Sequence, residues 1–327
     1  MPWFRKSSDQ CGRMTVYFGN KKLFSYKGLR YLLELLRYMK LRKQRTDQYL
    51  SPEKTRRITE YRFCRAHGYD LNLDKPRSYS EKIQWLKLYY HNPLITLCAD
   101  KYRVREYIAD VVGEQYLVDL LGVYQSAEEI DFDKLPDKFV LKVNWGCKQN
   151  IICRSKKGLD IEKAREKLRE WMQPSRNRYF KGFEWGYKDI KPKIICEKYI
   201  PEIDKGGTEY EFFCFNGKPV WVLLRGFDEK GRQVSDEFDL DFKRMPFKKN
   251  SRRSQGDIKK PRQFNEMLEL CEKLAAPFPL VRINILKLKS ELKIGELTFT
   301  PGSGLLKFHP KEWDFKLGEM LRLPEKI

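Results

Sequence analysis

Histidine is scarce: His67, His91 and His309 are the only three in 327 residues. A histidine-rich metal centre is therefore excluded. Eight cysteines (Cys11, Cys64, Cys98, Cys147, Cys153, Cys196, Cys214 and Cys271) are scattered without a CxxC pair. That spacing argues against a zinc site or disulfide framework and for a reducing compartment. No run of about eighteen apolar residues occurs, so no membrane-spanning helix is expected. The opening MPWFRKSSDQ lacks an apolar signal core, which points to the cytoplasm. Negative charge is also in short supply: 45 acidic residues against 66 basic ones leave a formal charge of +21. An anionic partner follows, whether nucleotide, acidic polysaccharide precursor, lipid surface or nucleic acid; charge alone does not choose among them.

What is present suits a folded globular chain. A 41% hydrophobic share beside 34% charged residues excludes disorder, and the length allows about two domains or one large one. Residues 1–20 show no clear period. From Leu23 to Arg45 the spacing predicts an amphipathic helix, with Leu32, Leu33, Leu35, Leu36 and Met39 apolar and Arg30, Arg37, Lys40, Arg42, Lys43 and Arg45 basic. Such a face suits either packing with a solvated basic side or an anionic membrane surface. Ser51-Pro52-Glu53 predicts a helix start, Ser80–Leu88 another amphipathic helix, and Leu97–Val112 a third after the Asn92-Pro93 break. Phe139–Val143, Ile151–Cys153 and Lys193–Ile200 read as strands, and Leu159–Met172 and Pro261–Leu274 as helices. Tyr210–Val222 reads as a hairpin turning at Asn216-Gly217. Arg225–Gly256 is polar and basic, either an acceptor-side lid or a solvated loop.

The chemistry is expected at Val281–Gly304. Two β-prone runs flank Lys289-Ser290-Glu291, and a three-residue loop there would set Asn284 opposite Glu296 and Arg282 opposite Thr298, all on one face. A carboxylate among apolar neighbours needs a partner, so the cluster is either an internal Arg282–Glu296 pair or a site for a cation or phosphate. The following Thr300-Pro301-Gly302-Ser303-Gly304 can expose backbone amides to an anion. Lys142, interrupting an apolar strand before the Asn144–Asn150 loop, is placed to reach a phosphate.

SEKIQWLKLY, HNPL, ADKYRVREY, EFFCFNGKP and IGELTFTPGSG, in this order along the chain, resemble the TupA-like ATP-grasp family. That family is named for a teichuronopeptide-synthesis protein and is common among bacterial capsule and surface-polysaccharide genes; more distantly the metal-binding end resembles D-alanine–D-alanine ligase. The resemblance implies an α+β ATP-grasp fold, two α+β lobes clasping a nucleotide behind a helical N-terminal region. The implied division is a basic extension at 1–50, a helical region at 51–125, a small nucleotide lobe at 126–200 and a metal and acceptor lobe at 201–327. It implies ATP and Mg2+ as cofactors. Lys101 and Lys142 would meet phosphates under a loop containing Asn144, Gly146 and Lys148, while Glu197, Tyr199 and Ile200 would meet adenine and Glu202 the ribose. Asn284, Glu296 and Thr298 would form the metal end, Arg282 would be catalytic, and Thr300, Gly302, Ser303 and Gly304 would hold the acceptor carboxylate.

Three departures stand out. Asparagine occupies position 284 where the family shows aspartate, Cys147-Lys148 stands where Ser-Gly is expected, and Glu211 replaces a basic residue. Three functions are therefore carried forward. The first is an ATP-dependent carboxylate–amine ligase acting through an acyl phosphate on an anionic glycan or sugar precursor. The second is a glycosyltransferase-type or degenerate nucleotide-binding assembly protein of the same fold. The third is a non-catalytic basic membrane-surface or nucleic-acid binder; no recognised nucleic-acid motif supports the latter, and no nucleic acid is expected as partner.

Overall fold

Three antiparallel sheets organise the chain, which the computed structural model describes over residues 50–204, 209–228, 230–249, 252–254 and 256–326, with the backbone of three N-terminal strands. These are β1 (Phe4–Ser8), β2 (Met14–Phe18) and β3 (Lys21–Tyr26), paired in that order. They correct the expectation of an unpatterned start, and Leu23–Tyr26 is strand where a helix was expected. The remainder of that basic helix, and with it the membrane-surface reading, lies outside the described residues.

The helical region follows. α1 (Pro52–His67) begins as predicted, with Ser51 accepting from Lys54 N at 3.3 Å. α2 (Tyr79–Tyr89) starts slightly before the expected point, because Ser78 and Glu81 form a reciprocal capping box. The single helix expected over Leu97–Val112 is interrupted. α3 (Pro93–Ala99) stops at Asp100, whose carboxylate accepts from the backbone of Tyr102 (2.8 Å) and Arg103 (3.3 Å), and α4 (Val104–Val112) restarts beyond. The break leaves Lys101 in a turn, and its backbone N–H donates to Asn144 O at 3.0 Å.

β4 (Leu120–Tyr124), β5 (Phe139–Val143), β6 (Asn150–Cys153) and β7 (Ile194–Lys198) form a sheet of order β4-β7-β5-β6, with α5 (Ile161–Trp171) burying Ala164 and Leu168. β8 (Glu209–Phe215), β9 (Lys218–Phe227), β10 (Gln233–Phe238), β11 (Leu280–Lys287) and β12 (Leu292–Thr298) form the larger sheet, of order β10-β9-β8-β11-β12. β10 lies in the stretch read as a lid or loop. α6 (Phe264–Ala275) and α7 (Glu312–Met320) complete an α+β architecture, as the resemblance implied.

Alternation along the strands gives the large sheet two apolar faces. Tyr210, Phe212, Cys214, Val222, Leu224 and Ile283 join Phe264 and Leu270 in one core, while Phe213, Phe215, Trp221, Leu223 and Leu280 join Tyr79, Ile83 and Phe308 in the other. Each fully buried side chain of this size stabilises by about 1.5–3 kcal/mol. Asn216 (φ 49°) and Gly217 (φ 84°) turn the β8–β9 hairpin in the left-handed conformation that a type I′ turn needs. Among the described residues no helix is long and apolar enough to cross a membrane. Six described cysteines are free, but Cys64 on α1 is disulfide-bonded, contrary to the expected absence of disulfides.

Candidate active site

A polar stripe crosses the large sheet at the end of its second core. β11 pairs β12 with Arg282 opposite Thr298 and Asn284 opposite Glu296, the register expected from sequence. The reason differs. The turn spans four residues, since Leu288 N bonds Glu291 O and Lys287 pairs Leu292, and a bulge between Asn284 and Ile285 restores the register.

Arg282 Nη2 donates to Glu296 Oε1 (2.7 Å) and Thr298 Oγ1 (3.0 Å), and its Nη1 lies 3.5 Å from Glu211 Oε2 on β8. Glu211 in turn accepts two hydrogen bonds from Arg225 on β9, at 2.6 and 3.2 Å. The departure at position 211 thus supplies a buried counter-charge for two arginines. Lys101 closes the stripe: its Nζ donates to Gly146 O at 2.9 Å and lies 3.2 Å from Glu296 Oε2. One side chain therefore ties the loop after β5 to the expected metal end of the large sheet. Burial would raise the Glu296 carboxyl, but Lys101 and Arg282 outweigh it and hold it down at about 2. Burial likewise opposes ionisation of Glu211, and Arg282 and Arg225 bring it below the ordinary value.

The remaining expected residues distribute as follows. Lys142 Nζ is ion-paired with Glu197 across β5 and β7, one diagonal step apart. Asn144 is wholly buried, its carboxamide donating to Lys191 O and accepting from Lys193 N, both at 2.9 Å, so it braces the loop instead of facing a ligand. Lys148 is exposed with φ 58°, a left-handed conformation that favours the glycine expected there. Tyr199 and Ile200 are half-buried just beyond β7, and Glu202 lies in a single helical turn, Pro201–Asp204.

The Thr300–Gly304 turn is built from three successive left-handed residues, Gly302, Ser303 and Gly304 (φ 58°, 56° and 64°). Thr300 Oγ1 donates to Glu184 Oε2 at 2.6 Å, and Arg178 pairs with the same carboxylate at 2.7 Å. Gln84 Nε2 donates to the carbonyls of Ser303 (2.8 Å) and Gly304 (3.0 Å), and Lys87 Nζ to Ser303 Oγ (3.1 Å). Burial pushes the Lys87 ammonium down to about 7. A small cavity of about 30 Å³ adjoins, lined by Lys87, Glu184, Pro279 and Thr300 among others. Sequence reading missed Gln84, Lys87, Glu184, Arg178 and Arg225. Gln84 and Lys87 stand among other polar residues of α2 (Ser80, Glu81 and Lys82), so nothing in the sequence set them apart, and all five are brought to the site only by long-range packing.

Asn284 Oδ1 is buried without a hydrogen-bond partner beside the Glu296 carboxylate. An amide oxygen and a carboxylate fit a magnesium ion that draws its other ligands from phosphate oxygens and water. Among the described residues no cluster of three or more His, Cys, Asp or Glu could cage a metal unaided.

A family profile described as TupA-like ATP-grasp matches residues 81–322. No curated protein sequence matches. Among solved structures, D-alanine–D-alanine ligase from Bacillus anthracis is similar at 17% identity, over 62% of this chain and 57% of that one, with a TM-score of 0.36. The same enzyme from Helicobacter pylori is similar at 16% identity, over 69% and 62%, with a TM-score of 0.38. This chain thus spans less than two thirds of either ligase. The ATP-grasp ligase PsnB, complexed with minimal precursor, Mg and ADP, is similar at 11% identity over 98% of this chain and 84% of that one, with a TM-score of 0.42.

Proposed function

From its membership of the TupA-like ATP-grasp family, to which this chain belongs, we propose that it is an ATP-dependent carboxylate–amine ligase of bacterial surface or capsular polysaccharide biosynthesis. The observation that carries the reading is the Lys101 bridge, which joins the Gly146 loop to the Glu296–Arg282 pair. A triphosphate lying along that bridge would meet cations at both ends.

In the reaction, a carboxylate oxygen takes the γ-phosphoryl group of ATP, releasing ADP and leaving an acyl phosphate. An amine then attacks the carbonyl carbon, phosphate departs, and the nitrogen loses a proton to give the amide. Such chemistry asks for positioning and charge neutralisation more than for a protein nucleophile. Lys142 and Lys101 would neutralise phosphate oxygens, with Gly146 and Lys148 covering them. Backbone groups around Glu197, Tyr199 and Ile200 would take adenine, and Glu202 the ribose. Arg282 would offset the charge on the phosphoryl group in flight. Asn284 and Glu296, flanked by Thr298, would hold magnesium, which when bound withdraws charge from the phosphates. The Thr300, Gly302, Ser303 and Gly304 turn would receive the acceptor. An anionic glycan or sugar precursor is the proposed carboxylate, consistent with a net charge of +21.

Hydroxylamine tests this directly, because it captures an acyl phosphate as a hydroxamate. Glucuronate-bearing oligosaccharides with ATP, magnesium and hydroxylamine are expected to give hydroxamate only when ATP is present; ATP consumption without hydroxamate would remove the ligase reading. A second reading, nucleotide binding without ligation, is favoured by Asn284 and by the cations already engaging both Glu296 oxygens. It expects Mg-ATP binding and no hydroxamate.

A further inference from the structure

Lys87 and Ser303 meet in a geometry that the ligation described above does not use. Lys87 sits on α2 and is only 5% exposed. Its Nζ lies 2.9 Å from Gln84 Oε1, 3.1 Å from Ser303 Oγ and 3.3 Å from Ser303 O. Gln84 is itself fixed, since its Nε2 donates to the carbonyls of Ser303 and Gly304. A neutral lysine amine has two N–H donors and one lone pair, and these three neighbours match it. The carboxamide and carbonyl oxygens accept, and the hydroxyl can give its proton to the nitrogen. An ammonium fits the same distances with Oγ accepting, so the protonation of Lys87 sets the direction of the Ser303 hydroxyl. Burial favours the neutral form and brings Lys87 down to about 7 against the pull of Glu184, with Arg62 on α1 and Arg178 adding to the fall. His91 meets Lys87 only at its backbone.

The backbone of the turn supports the same reading. Ser303 stands between two glycines in the left-handed conformation (φ 56°, ψ 22°), in a sharp turn just after β12. A tight turn at the end of a strand is the way hydrolases project a nucleophilic serine out of the backbone. A Cβ at Gly182 would lie 2.6 Å from Ser303 Oγ, so glycine at 182 keeps that side of the hydroxyl clear. Ser303 itself is half-buried, not sealed in the core. A hydroxyl within reach of a base, and a base oriented by a third side chain, is the arrangement that activates a serine.

We propose that Ser303 and Lys87 form a nucleophile–base dyad, oriented by Gln84, that takes acyl groups from activated esters and acyl phosphates. Ligation needs no protein nucleophile, so this is a second activity at the same turn. Ser303 Oγ adds to the carbonyl carbon as its proton passes to Lys87 Nζ. The bond from that carbon to the phenolate or phosphate oxygen breaks, the group departs with the electron pair, and Lys87 passes the proton to it or to solvent. Water then attacks the Ser303 ester while Lys87 takes its proton and returns it to Oγ, releasing the carboxylic acid.

The test uses the full chain and p-nitrophenyl acetate, without ATP or magnesium, and follows acetyl on Ser303 by peptide mass spectrometry across pH. The base acts only when neutral, so labelling is expected to be slight in acid, to rise through about pH 7 and to level beyond. Lys87→Met is expected to slow it at least about a hundredfold. Lys87→Arg keeps a cation against Ser303 but supplies no base near neutrality, so it is expected to fold and to remain unlabelled. No acetyl on Ser303 in the native chain, a rate without a midpoint near 7, or unchanged labelling in folded Lys87→Met would each overturn the dyad. Should both variants unfold, the pH profile of the native chain still decides. Failure here leaves the ligase reading standing, because hydroxamate formation depends on ATP and this labelling does not.

Discussion

Lys101 reaches the site only because Asp100 ends a helix one residue earlier. Sequence alone offered Lys101 through family resemblance, since a lysine in a charged segment is ordinarily solvated. What sequence could not supply is that its ammonium meets Gly146 and Glu296 together, a contact between positions far apart in the chain. Arg282, Asn284, Glu296 and Thr298 were legible as a group because strand alternation fixes their common face. Glu211 and Arg225 were not, since strands β8 and β9 had to be laid beside β11 first. Two predictions belong at this scale. Asn284→Asp is expected to raise magnesium affinity measured by calorimetry in the presence of ATP, since a carboxylate adds charge to the donor set; an unchanged affinity would remove position 284 from the metal end. Glu296 titrates at about 2 when folded against 4.5 ordinarily, so its stabilising contribution is complete above about pH 4.5 and is lost as pH falls through about 2. The stability gap between native protein and Glu296→Gln should therefore narrow across that window in acid titrations followed by circular dichroism. A gap independent of pH would mean that the carboxylate is not held by Lys101 and Arg282.

At the scale of elements, most helices and strands were legible and their joints were not. The β11–β12 register came out as expected although the turn is one residue longer, because the bulge at Asn284/Ile285 absorbs the difference. β10 was hidden by its polar residues: Ser235, Asp236 and Glu237 are all buried, which no alternation rule anticipates. The crossing of α2 and α7 rests on a glycine. A Cβ at Gly318 would lie 2.0 Å from Arg77 O and 2.7 Å from Tyr79 N, both backbone atoms at the start of α2. Gly318→Ala is expected to destabilise by about 1–3 kcal/mol, read as a lower urea midpoint at constant slope. A midpoint within error of the native one would mean that the two helices separate at little cost.

For the whole molecule, the family motifs and their order were readable, and they established the α+β ATP-grasp architecture. The N-terminal strands were not readable, lying where no period is visible. The +21 charge was correctly a whole-chain clue to an anionic ligand class, but it could not say which cations converge. Lys142 remains in the smaller sheet, paired with Glu197, while Arg282 and Glu296 belong to the larger one, and Lys101 is a polar link between the loop after β5 and the larger sheet, beside the apolar core the two sheets share. If a triphosphate occupies that junction, a cation from each sheet contributes to its binding. Calorimetric titration of Mg-ATP into the full chain and into Lys142→Ala is the most direct test. The native protein should bind at a single saturable site and the variant at least about tenfold more weakly; no heat or thermal shift with the native protein, or equal affinity in both, would contradict a nucleotide held between the two sheets.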